Sequence, residues 1–504
     1  MASSSSSPSP VQKERIAWLN KQDLNTNGKY VLYWMQSSVR CQSNHALEFA
    51  AERANLADKP LLVVFGLVER EYHPQANLRH YAFMLEGLAD AQQRLATERK
   101  CRLIVAKCKS PVDLIANQLA QDAVEVIVDR SYTRVPRLWY RQLADRLVDL
   151  GRRLTQVESN VVVPVELVSN CSEFGARTIR PKIWRFADSF LVELPTVPLL
   201  RNGLKEKLIN DAEFDLMDLS NEKCLEKAIA GLNVDRSVSR ITTMKGGQTE
   251  AQNTLDKFIS GRLVHYDERR NKPGEQFQSY LSPYLHFGHI SPIDAIRAVR
   301  AAKTSKANKD SFIEELLVRR ELAINFVWYE PDAYDSLRCL PDWARKTINE
   351  HRNDPRVHLY TYEQLENGDT HDQYWNAAQL EMVHQGKMHG YMRMYWGKKV
   401  IQWTSNMEEA YKFLSEQNDK YELDGREPNG YAGVVWCFGK HDRAHAERAV
   451  FGKLRFMNDE GLKRKFKSIN DYVRSCYRVA GKKQAGVPDD FFIPPAAKRA
   501  KKTK

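Results

Sequence analysis

Residues Tyr30–Met35 read YVLYWM, and three more apolar runs follow: Pro60–Leu67 (PLLVVFGL), Arg102–Ala106 (RLIVA) and Val124–Val128 (VEVIV). The stretches between them, 43–57, 76–98, 111–121 and 135–152, repeat their apolar residues at helical spacing. Continuous apolar strands separated by amphipathic helices predict a parallel sheet covered on both faces. The run Val161–Val168 (VVVPVELV) predicts one more strand. This is a doubly wound, Rossmann-like α/β domain over 25–171, with a crevice expected at the carboxyl ends of its strands. No G-x-G-x-x-G motif accompanies it, so a dinucleotide held by that fingerprint is not expected.

Outward from this domain the pattern changes twice. From 172 to 248 periodicity weakens and polar residues dominate, which predicts a connection carrying some helix. From 249 to 494 the pattern is helical, as in Asp310–Phe326 (DSFIEELLVRRELAINF), Asn376–His389 and Met407–Leu414. A second, larger all-α domain is therefore expected. Residues 1–24, opening MASSSSSPSP, read as a disordered leader without a basic and apolar signal pattern. Residues 495–504 (PAAKRAKKTK) read as a basic tail that directs the chain to the nucleus, with organellar DNA as an alternative target.

The chain has 504 residues, enough for two cores, and a net charge of +12. A basic balance favours phosphate-rich partners, since each neutralised phosphate releases a counterion. No apolar run approaches the roughly 20 residues a membrane helix needs. The eight cysteines form no C-x-x-C pair, so neither a metal site nor disulfides are expected.

Met388–Trp403 (MHGYMRMYWGKKVIQW) places Trp396 and Trp403 seven residues apart, nearly on one helix face, with Trp375 on a preceding helical segment. Two readings stand: core packing, or aromatic stepping stones for an electron. Periodicity alone does not choose between them. In Tyr421–Trp436 (YELDGREPNGYAGVVW) the Asp-Gly and Asn-Gly turns suit either a tight interhelical loop or a cleft for a planar ring. The hydroxyls of Ser279–Gly288 (SYLSPYLHFG) suit phosphate contacts or helix capping. Glu315 reads locally as half of an i,i+4 pair with Arg319. The basic segments His441–Arg455 and Gly461–Ser468 (GLKRKFKS) read as a phosphate-tracking surface or a solvated helix face.

In this order, the blocks YDERRNKP, SYLSPYLHFGHISP, EELLVRRELAINF, KMHGYMRMYWGKK and YELDGREPNGYAGVVWCFGKHDR resemble the photolyase/cryptochrome superfamily. The match is to class II cyclobutane pyrimidine dimer photolyases, over about Gly28 to Pro494. The resemblance implies a lyase that uses light to split pyrimidine dimers in double-stranded DNA. It implies FAD, active as FADH⁻, in the helical domain, and an antenna pigment (deazaflavin or folate, where one is present) in the α/β domain. Excitation sends an electron to a dimer flipped out of the duplex, and the electron returns after the ring opens.

Carried over residue by residue, the resemblance assigns Glu315 to hydrogen-bond the lesion from a dry pocket and Arg270 to its phosphate or radical. Met394 packs between lesion and flavin, and Asn418 faces the ring nitrogen N5. Arg393 and Asp424 form an ion pair over the flavin. Tyr266, Ser279, Leu281, Ser282 and Asn429 hold the rest of the cofactor. Trp375, Trp396 and Trp403 conduct an electron to it. Trp436 stacks on the lesion, Arg443 and Arg455 prop the vacated duplex open, and Lys463 and Arg464 track phosphates. Two positions depart from the pattern: Arg319 stands where relatives place an aromatic, and HDRAHAER has His445 in place of tryptophan. The alternative is a cryptochrome-type signalling flavoprotein, disfavoured by the short tail and by Glu315 and Met394. A DNA-binding protein without chemistry leaves the five blocks unexplained. A monomer is expected, because one face must bury DNA.

Overall fold

The computed structural model describes residues 9–69 and 73–482. The four apolar runs become strands buried along nearly their whole length: β2 (Tyr30–Trp34), β3 (Leu61–Leu67), β4 (Arg102–Lys107) and β5 (Ala123–Asp129). Helices His45–Leu56, Leu78–Arg99 and Arg134–Asp149 supply the covers their apolar side chains require. With β1 (Ile16–Trp18), β6 (Leu154–Val157) and β7 (Asp215–Leu216) the sheet has seven strands, ordered β1-β6-β5-β2-β3-β4-β7. The five inner strands are parallel, and both edges run antiparallel.

Three expectations change here. The leader is not disordered over its whole length, because Ile16–Trp18 pairs with β6 as an edge strand. Arg15, 1% exposed, anchors it by donating to the carbonyls of Glu158, Val161 and Val162 at 3.1, 3.1 and 2.6 Å. Those bonds also explain why Val161–Val168 is not a strand. Two of its carbonyls go to Arg15, Val162 N donates to Glu321 Oε1 at 2.6 Å, and Pro164 has no N–H to give. The run instead ends in a helical turn, Val165–Val168, and the strand lies earlier, in β6. Third, the sheet does not close at residue 171. The connection contributes helix Ala176–Phe190, then β7 on the far edge, then helix Glu222–Ala230. The domain limit at 494 and the basic tail fall outside the described residues.

The remaining chain is helical, as expected. A long element runs as Lys306–Ile313, a π-helical turn Glu314–Arg319, and Arg320–Tyr329. It is followed by helices Gln373–Gln385, Gly390–Trp403, Met407–Tyr421 and Pro428–Cys437 around one core. No helix among the described residues is long and apolar enough to cross a membrane.

Buried polar groups tie the two bodies together. Arg79, from the second α/β helix, donates to Tyr421 O and Val383 O, both at 2.6 Å, and to Ser239 O at 3.0 Å. Tyr421 and Val383 lie at the carbonyl ends of two helices, where a cation also meets the helix dipole. Arg40 donates to Gly288 O at 3.0 Å. Gly288 has φ +70°, and a Cβ there would meet Ser37 O at 2.1 Å, so only glycine permits this approach.

Candidate functional site

Helix Gly390–Trp403 starts where His389 Nδ1 accepts from Tyr391 N at 3.2 Å. It packs closely on helix Pro428–Cys437: a Cβ on Gly397 would lie 2.5 Å from Cys437 Sγ. That fit turns Arg393 and Met394 toward one side. Arg393 Nη2 lies 3.4 Å from Asp424 Oδ1 and 2.9 Å from Glu422 Oε2. The expected ion pair is thus a trio, and Glu422 is the member that sequence reasoning missed. Burial first, then the neighbouring Asp424, pushes the Glu422 carboxyl up to about 8. Burial also opposes the Asp424 carboxylate, yet Arg393 and a hydrogen bond from Ser282 outweigh it and hold that group below the usual carboxylate range.

The neighbouring positions converge on the same region. Asn418 is buried and donates to Asp419 Oδ1 at 3.0 Å. A Cβ on Gly430 would come within 2.8 Å of Asn418 Nδ2, so glycine at the start of helix Pro428–Cys437 lets the Asn418 amide pack against it. Asn429 is held by Glu427, which caps that helix and accepts from Asn429 N at 3.1 Å and from Asn429 Nδ2 at 3.2 Å. Burial pushes Glu427 up to about 7. Tyr266 and Leu281 are buried, and the Ser279 hydroxyl accepts from Leu281 N at 3.4 Å. Next to Ser279, the Tyr280 ring lies 4.6 Å from Lys387 Nζ and 4.8 Å from the Arg262 guanidinium. Two cations beside the half-buried Ser279 hydroxyl suit a phosphorylated ligand.

At the mouth, Glu315 does not pair with Arg319. Its carboxylate lies 3.0 Å from Arg270 Nη2, while Arg319 Nε takes Glu314 Oε1 at 3.2 Å. The π-helical turn over Glu314–Arg319 breaks the 3.6-residue register on which the i,i+4 reading rested. Nor are the surroundings of Glu315 dry: its side chain is 40% exposed. Arg319 instead lies 5.7 Å from the Trp436 ring, so a cation covers the aromatic expected to stack on a lesion. Met394 Sδ approaches Cys437 Sγ at 3.9 Å, one residue beyond Trp436.

Of the expected DNA-facing cations, Arg443 and Arg464 are exposed. Arg455 makes two bonds to Asp442, both 3.1 Å, with the His445 ring 3.5 Å from the same carboxylate. Lys463 is held by Asp459 at 3.0 Å and Glu460 at 2.8 Å, so the GLKRKFKS stripe is less free than its composition suggests.

The three tryptophans are buried, as core packing demands, and are also linked. Trp375 Nε1 donates to Trp396 O at 3.0 Å, and the Trp375 and Trp403 rings lie edge to face at 5.6 Å. Trp403 then meets the rings of Tyr360 at 5.4 Å and His371 at 5.3 Å, and Tyr360 hydrogen-bonds His371 at the surface. Neither Tyr360 nor His371 was legible in advance: Tyr360 stands in an irregular segment with no periodic signal.

A cleft of roughly 1180 Å³, its open mouth included, separates the carboxyl edge of the sheet from the helical body. Ser37, Leu67 and Tyr132 line one wall, and His286, Arg320 and Arg426 the other. This is the crevice expected of a doubly wound sheet.

A family model for DNA photolyase matches residues 31–199. The chain is 46% identical over 463 residues to the deoxyribodipyrimidine photo-lyase of Methanothermobacter thermautotrophicus, covering 92% of this chain and 98% of that protein. It is 40% identical to the deoxyribodipyrimidine photo-lyase of Oryza sativa subsp. japonica, covering 90% and 88%. In fold it resembles a class III photolyase from Agrobacterium tumefaciens, with a TM-score of 0.68 at 17% identity over 94% and 96% of the two chains. An archaeal photolyase from Sulfolobus tokodaii, solved with two FAD molecules, gives a TM-score of 0.67 at 15% identity over 91% and 94%. With relatives this similar spanning both domains, the chain belongs to the DNA photolyase family.

Proposed function

We propose that this protein repairs UV-damaged DNA by splitting cyclobutane pyrimidine dimers in a light-driven reaction. One observation supports the reading: residues that the resemblance names from distant blocks pair with one another, Arg270 with Glu315 at 3.0 Å and Arg393 with Asp424 at 3.4 Å. These residues lie far apart in the chain.

The residues fit a flavin. The half-buried Arg393 guanidinium suits an anionic ring, Gly430 lets the Asn418 amide lie close against its backbone, and the Ser279–Leu281 turn lies beside two cations. When bound, FAD supplies light absorption and one-electron chemistry. Arg393 and Asp424 would hold its ring, Asn418 would face the ring nitrogen, and Tyr266, Ser279, Leu281, Ser282 and Asn429 would hold the remainder. The protein positions and screens: Arg270 neutralises lesion charge, Glu315 offers hydrogen bonds to the base edge, and Trp436 supplies a face for a flipped base. An antenna pigment, if carried, would take the interdomain cleft. Absorbance beyond the flavin bands in the purified protein would identify it.

Reduced enzyme under blue light is expected to restore intact thymines in a dimer-containing oligonucleotide. Enzyme with bound flavin that converts no dimer sinks the proposal. Conversion of a (6-4) photoproduct alone would reassign the substrate. Glu315→Ala is expected to lower repair per absorbed photon about tenfold, the worth of a hydrogen bond to a charged group. Its affinity for damaged duplex should change much less. Equal losses in both would make Glu315 a binding residue only.

A further inference from the structure

Arg393 is one cation set between two buried carboxyls, Glu422 at 1% and Asp424 at 7% exposure. Both carboxyls face the same guanidinium nitrogen, Glu422 Oε2 at 2.9 Å and Asp424 Oδ1 at 3.4 Å. Two buried carboxyls that share one cation favour a proton on one of them, because like charges at close range oppose each other's ionisation. With both ionised, two buried carboxylates and the half-buried Arg393 would carry a net negative charge beside an anionic ring, which is unfavourable.

The surroundings decide where the proton sits. Asp424 faces Arg393, the Ser282 hydroxyl and the His286 ring, all of which favour its ionised form. Glu422 faces burial first, with Asp424 and Glu381 as negative neighbours, against Arg393 and the more distant Lys387. Lys387 is already engaged, 3.5 Å from Glu381 and donating to Gln278 Oε1 at 3.0 Å. From the α/β side His80 bonds the Glu422 backbone carbonyl (3.0 Å) with a ring that burial keeps neutral, and Arg79, bound to Tyr421 O at 2.6 Å, adds the field of a cation that favours the ionised form. Although Glu422 Oε2 lies 2.9 Å from Arg393 Nη2, no hydrogen bond to that oxygen is aligned.

We propose that Glu422 is a proton-holding positioning residue: it stays protonated in the working site and leaves Arg393 to pair with Asp424. The Arg393–Asp424 pair is then neutral in sum, and the site accepts the anionic reduced flavin. No bond to flavin or substrate is made by Glu422 itself, and the inference rests on the flavin reading above. Its pH dependence has a definite sign. The folded-state value, about 8, lies above the ordinary 4.5, so the contribution is full below 4.5 and is lost as pH rises through about 8.

Reduced holoprotein is incubated at about pH 6.5 and about pH 9, and released flavin is measured by fluorescence after filtration. One unit above its midpoint, Glu422 keeps its proton in about one molecule in ten, so wild-type retention should weaken about tenfold at the higher pH. Glu422→Gln carries no ionisable group and should retain flavin equally at both, with a Tm that falls less between them. Glu422→Met, also uncharged, replaces it if the glutamine variant does not fold. A flat wild-type profile, or a variant that keeps the wild-type slope, overturns the inference. So does a folded variant that loses flavin at both pH values, since the carboxylate would then be needed. Wild type that binds flavin at no pH overturns the functional reading itself, and this inference with it.

Discussion

Arg393→Met is expected to yield a folded protein that purifies almost free of flavin. Removing this guanidinium leaves Asp424 buried without its cation, beside Ser282, His286 and Glu422. Stripping one partner from a buried ion pair costs about 3–5 kcal/mol of stability. Arg393 is 33% exposed, so the cost here falls at or below the low end, and the flavin loses the cation that faces its ring. The ratio of flavin to protein absorbance measures this directly, and circular dichroism checks that the helices survive. Adding Asp424→Leu should restore part of the lost thermal stability, because a buried pair replaced by apolar groups is often tolerated. It should not restore flavin. A single variant that retains stoichiometric flavin would remove the trio from the binding site.

Trp396→Phe is expected to slow photoreduction of bound flavin by at least about a hundredfold while repair by chemically pre-reduced enzyme stays near wild type. Phenylalanine keeps much of the packing but is far harder to oxidise than an indole, so a relay through this position loses its step. The indole Nε1 also donates to Gln379 Oε1 at 2.8 Å, and losing that bond costs about 1 kcal/mol in stability, too little to mimic a broken relay. Transient absorption after a laser flash measures the first reaction, and the oligonucleotide assay the second. Parallel loss of both would leave Trp396 with a packing role alone.

How far the sequence could be read depended on where each group finds its partner. YVLYWM and its companions were legible because a strand buried on both faces needs apolar residues throughout, and that demand is local. VVVPVELV met the same demand and misled, because its carbonyls are claimed by Arg15, more than a hundred residues earlier. Glu315 appeared tied to Arg319 by spacing, yet the π-helical turn released it to Arg270. The resemblance located the Arg393–Asp424 pair. Glu422 stayed hidden: two residues from Asp424 in a turn segment, it carries no periodic or motif signal of burial. Lys463 shows the reverse case, a basic run whose charge is partly cancelled by acids on its own helix.

The hold that Arg79 keeps on the helical body has an optical consequence. It grips the carbonyl ends of the helices that carry Trp375 and Asn418, from a helix packed on the sheet. Any two light-absorbing groups held one in each domain would therefore keep a constant separation and a constant angle between their transition dipoles. Excitation would pass between them at a single rate in every molecule, and polarised emission would report one fixed orientation instead of a spread.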